Sequence, residues 1–141
     1  MNNRSWWWLM VVGSIMVAGE AVADGARALH GGQLQKGGKH YYEMVVHEVD
    51  PALRTQEVVL YVYDLQGKPK RTQQVTARAV AVSGREKVSI DLPSIGDNRL
   101  AGSAMFKPQP DTRLLVTTSW SDDQFPEQVK FTMGTGKATG K

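Results

Sequence analysis

Cysteine is absent from the 141-residue chain. That excludes disulfides, thioether haem attachment, thiolate metal sites, a cysteine nucleophile and lipidation at cysteine. Also missing are a Gly-x-Ser-x-Gly elbow, a phosphate-binding loop and a dinucleotide fingerprint. Beyond residue 23 no apolar run approaches the roughly 20 residues needed to span a bilayer. Charge of one sign is lacking too: 17 Lys and Arg stand against 14 Asp and Glu. The basic residues are scattered, and only Lys68-Pro69-Lys70-Arg71 cluster, in a turn. Without interleaved aromatic and basic residues, nucleic acid is not an expected partner. Glu43 and Glu48 fall on opposite faces of one strand, so they do not form a glycosidase-like pair. Asp122-Asp123 reads as a solvated turn. No enzyme is expected.

What is present begins with a leader. Met1 to Ser5 is short and polar and carries Arg4, and Trp6 to Ala18 is an almost unbroken apolar run. Ala21-Val22-Ala23 follows as a small-x-small cleavage pattern, so residues 1–23 read as a secretory signal peptide. Ala26-Arg27-Ala28 is a second, weaker cleavage pattern. The expected location is the periplasm, with no stable membrane insertion after processing. Residues 24–39 are rich in Gly, Ala, Gln and Lys and read as a flexible lead-in, with Gln33-Leu34-Gln35 as a short edge-strand candidate. Residues 134–141 read as a disordered tail.

Between them, residues 40–133 show two-residue alternation broken by turn residues. The expected strands are 40–49, 57–64, 74–82, 87–92, 99–107, 113–120 and 127–133. Asp50-Pro51, Gly67-Lys68-Pro69, Ser83-Gly84 and Pro108-Gln109-Pro110 punctuate them. Pro93 to Asn98 reads as a loop. About seven short strands without a helical period argue for an all-β antiparallel sandwich. Leu60, Val62, Ile90, Leu100, Phe106, Val116, Val129 and Phe131 are the expected core. Trp120 is also read as core.

Histidine carries the remaining chemistry. The chain has three: His30, His40 and His47. Without cysteine, imidazole and the thioether of Met44 are the available soft or borderline metal ligands. On a regular strand His40 and His47 point to opposite faces. His40 and Met44 share a face but lie roughly 13 Å apart at about 3.3 Å per residue. A site therefore needs His30, carried on Gly31-Gly32, to fold back beside one of the others. The candidate metal ligands are His30, His47, His40 and Met44. Cleavage after Ala28 offers a separate, local route, because His30 would then be the second residue. The free amine, an amide and the imidazole could bind Cu(II) together.

The sequence resembles a group of small exported bacterial proteins and adaptor-attached domains that accompany heavy-metal efflux systems. The likeness rests on His30-Gly31-Gly32, Tyr42 with Glu43, Leu60-Tyr61-Val62 with Asp64, and the Gly67-Lys68-Pro69 turn. Asn98, Leu100, Gly102 and Phe131 extend it. The polar stretch from Gln73 to Arg78, and Tyr63, depart from that pattern. The resemblance implies an immunoglobulin-like sandwich that handles copper or a similar divalent heavy metal in the periplasm. Among ligands it points only to His30. The alternative expectation is a non-catalytic module that docks onto an envelope or efflux partner without bound metal.

Overall fold

β-Branched and aromatic residues that alternate between two environments need two layers to bury both faces. The computed structural model describes residues 26–133 and meets that need with two antiparallel sheets. The strands are β1 (Gln33–Lys36), β2 (Tyr41–Asp50), β3 (Thr55–Tyr63), β4 (Val75–Ser83) and β5 (Glu86–Asp91). They continue as β6 (Ser94–Gly96), β7 (Arg99–Met105), β8 (Arg113–Trp120) and β9 (Glu127–Thr132). One sheet has the order β1-β2-β3-β7-β6 and the other β5-β4-β8-β9. Among the described residues there is no α-helix. The signal peptide and the carboxy-terminal tail expected from sequence lie outside the described residues.

The core lies between the sheets. Tyr42, Met44, Val58, Leu60, Val62 and Leu100 face it from one sheet, and Ala79, Ala81, Ile90, Leu114, Val116 and Phe131 from the other. All eight residues expected in the core belong to this cluster. Trp120 does as well, at 7% exposure. The alanines of β4 are strand residues that face the core, although alanine favours helix in isolation. Val75, Thr76 and Val80 supply the β-branched content, and pairing with β5 and β8 on both sides holds β4 extended.

Two elements differ from the sequence reading. The segment Ser94–Gly96 is not all loop, because Ser94 and Gly96 pair with β7. Buried Thr72 holds this corner: its hydroxyl lies 2.8 Å from the Ser94 hydroxyl and donates to the Arg99 carbonyl at 3.1 Å. Three residues with a single apolar side chain show too little alternation to be seen in sequence. At the other edge the first sheet begins with β1, which pairs with β2 from Gln33↔Met44 to Lys36↔Tyr41. The side-chain amide of Gln33 then donates to the Thr132 carbonyl of β9 at 2.5 Å, so the lead-in stitches the two layers together.

β7 of one sheet lies close against β5 of the other at Gly102. A Cβ on Gly102 would run into the Asp91 carbonyl oxygen and press on Ile90. Gly102→Ala is therefore expected to destabilise the fold by about 1–3 kcal/mol, as overpacking does. Urea denaturation checks this, and an unchanged midpoint would mean that the two strands can part without cost.

Candidate functional site

Alternation places Glu43 on the outer face of the first sheet, between the core-facing side chains of Tyr42 and Met44. On an uncovered sheet this carboxylate would be solvated. It is instead fully buried, at 0% exposure, because residues 29–32 turn back across it. The N–H of Leu29 donates to Oε1 at 3.1 Å, and those of His30 and Gly32 donate to Oε2 at 2.7 and 2.9 Å. The Tyr63 hydroxyl donates to Oε1 at 3.1 Å. His30 Nδ1 lies 3.0 Å from the same oxygen, and its ring stacks on Tyr61 at 3.6 Å. A Cβ on Gly32 would collide with the Met44 carbonyl oxygen, so only glycine lets the strap lie this close. Gly31 adopts φ +76°, which turns the chain over the carboxylate.

Burial pushes the Glu43 carboxyl up, but the hydrogen bonds from Gly32, His30 and Tyr63 outweigh it and hold the group below its ordinary value. Tyr63 is driven the other way by its own burial and by the Glu43 charge. A carboxyl that ionises more readily in the folded chain adds stability above its unfolded pKa, which is 4.5. That increment disappears as pH falls through the lowered folded value. The stability difference between wild type and Glu43→Gln is thus expected to be largest near neutral pH and to shrink below about pH 4.5. Thermal unfolding across pH 3–7 measures it, and a difference that grows towards acid would reverse the assignment.

A second buried cluster sits at the core edge, before and within β2. His40 is 7% exposed, and its ring stacks on Trp120 at 3.9 Å. Its Nδ1 lies 3.1 Å from both Glu127 oxygens. Glu127 also accepts from the Tyr42 hydroxyl at 2.7 Å and from the Lys39 N–H at 2.9 Å. The Tyr42 hydroxyl lies 2.8 Å from the Thr118 hydroxyl and accepts from Trp120 Nε1 at 3.1 Å. Burial raises the Tyr42 pKa, so this phenol stays protonated. The network ties β2 to β8 and β9 across the sandwich. Two open grooves, ≈460 and ≈360 Å³, flank it and share Lys70 and Asp122. Trp120 lines the larger and His40 the smaller.

The residues predicted as metal ligands are thus distributed rather than gathered. His30 meets Glu43, His40 meets Glu127, and His47 Nε2 meets Glu57 at 2.8 Å. Met44 is buried in the core, 4% exposed. His47 shares the outer face with Glu43 but lies four residues along β2, roughly 13 Å away. His40 and His47, seven residues apart, are separated by roughly 23 Å of strand. Among the described residues no three His, Cys, Asp or Glu side chains come together to hold a metal ion. Sequence reasoning named Glu43 only within the resemblance and gave none of the three glutamates a role as a histidine's partner. Glu43 carried a readable signal, an acidic residue inserted between Tyr42 and Met44 in the middle of an apolar strand. Glu57 and Glu127 carried none, since strand ends are ordinary places for charge.

Compared with known proteins, the chain matches no family model, no curated protein and no solved structure.

Proposed function

We propose that the chain is a non-catalytic, exported metal-handling module with an immunoglobulin-like sandwich, and that its metal-facing group is the amino-terminal corner of His30 and Glu43. One observation carries this reading. The His30 imidazole has its Nδ1 3.0 Å from the buried Glu43 carboxylate, the pairing by which a carboxylate orients an imidazole and leaves its other ring nitrogen for a metal. The His30 side chain is 40% exposed, so an ion can reach it from solvent. An imidazole nitrogen suits Cu(II) or a similar divalent cation. His40, His47 and Met44 take no part, because each is held at a separate place.

Copper titration of the exported protein, followed by visible absorption and electron paramagnetic resonance, tests the proposal. His30→Ala is expected to weaken Cu(II) binding at least tenfold, and His47→Ala to leave it unchanged. Binding should weaken in acid, because protons compete with the metal for imidazole. Equal binding by wild type and the His30→Ala, His47→Ala double variant would sink the metal reading. The second reading, an interaction module that docks onto an envelope partner, would then stand. It is favoured by the separate glutamate on each imidazole and by the mixed-charge grooves beside Trp120.

A further inference from the structure

We infer that the mature protein begins at Leu29, and that its α-ammonium group is the counter-ion of buried Glu43. Two independent observations meet at this residue. The first is geometric. Glu43 is fully buried, and among the described residues its only ion-pair partner is the His30 ring, with no lysine or arginine beside it. The N–H groups of Leu29, His30 and Gly32 and the Tyr63 hydroxyl fill the lone pairs of the carboxylate, and what they leave without a full counter-charge is its negative charge. Leu29 N stands 3.1 Å from Oε1, and Leu29 is 62% exposed, so the residue sits at the surface with its nitrogen turned inward. Conversion of this amide to an ammonium puts a full charge on a contact already in place.

The second observation is the chain just upstream. Ala26-Arg27-Ala28 presents small residues at the two positions that signal cleavage requires, and the bond it specifies is Ala28–Leu29. Ala26, Arg27 and Ala28 have no regular secondary structure and make no hydrogen bond to other described residues. Leu29 is the first described residue that hydrogen-bonds to the sandwich. The cleavage pattern and the first anchored nitrogen coincide at one peptide bond. Cleavage at Ala23, the stronger pattern by sequence, would leave Glu43 without the ammonium.

Export of the full chain, followed by amino-terminal sequencing and intact mass, tests the inference. Leu29 is expected as the first residue. Asp24 first, or retention of Met1, overturns it. A second measurement tests the ion pair itself. The same protein prepared with Asp24 as its first residue is expected to melt about 3–6 °C lower than the Leu29 form, the shift of a charged contact in a domain of this size. Glu43→Gln should lower the Leu29 form more than the Asp24 form. Equal melting temperatures for the two forms would overturn the ammonium–Glu43 pair even where sequencing finds Leu29.

Discussion

Glu43→Ala is expected to release the strap of residues 29–32 and to destabilise the protein by about 3 kcal/mol. The substitution strips the acceptor from the N–H groups of Leu29, His30 and Gly32 and from the Tyr63 hydroxyl. A buried donor left without a partner costs about 1–3 kcal/mol. The full sum over four donors is not expected, because the strap lies at the surface and its amides can detach and find water. Tyr63 cannot, at 1% exposure. Hydrogen exchange separates the two contributions. The amides of His30 and Gly32 should lose protection in the variant, while those of β3 and β8 keep theirs until global unfolding. Retained protection at His30 and Gly32 would show that the strap is held by the stacking of His30 on Tyr61 and not by the carboxylate.

Phe131→Ala should cost about 3–5 kcal/mol, the range for large aromatic truncations in cores. Phe131 lies on β9 and is fully buried within the cluster that joins both sheets. Among the described residues its strand pairs only with β8, through Leu114↔Phe131 and Val116↔Val129, so as an edge strand β9 can shift inward and fill part of the void. The lower half of the range is therefore the closer expectation. A urea midpoint equal to that of wild type would remove Phe131 from the core. A midpoint that drops with an unchanged slope confirms a loss of packing without a change in the unfolding surface.

Strands were legible wherever alternation ran for five or more residues. β8 was read at Arg113–Trp120, its observed bounds, and Leu114, Val116 and Trp120 alternate against exposed Arg113, Leu115 and Ser119. β6 was not legible, because its pairing is set by Thr72 and the turn at Asp97 rather than by its own side chains. The lead-in read as flexible because glycine is permissive in isolation. In the fold Gly32 is used for close approach instead, and a neighbouring strand supplies the acceptor that holds it.

Local pattern alone determined the all-β character, most strand positions and the identity of the core, since burial of alternating apolar side chains depends on nearest neighbours along the chain. It also singled out His30 and its glycines. The partners of the histidines were decided only by tertiary structure. His30 and Glu43 are 13 residues apart, and His40 and Glu127 are 87 apart. No periodicity links such positions. The register of β1 against β2 and the packing of β9 across β2 bring each imidazole to its own carboxylate. A strand cannot bend its side chains towards a common point, so the same pairing keeps His30, His40 and His47 apart.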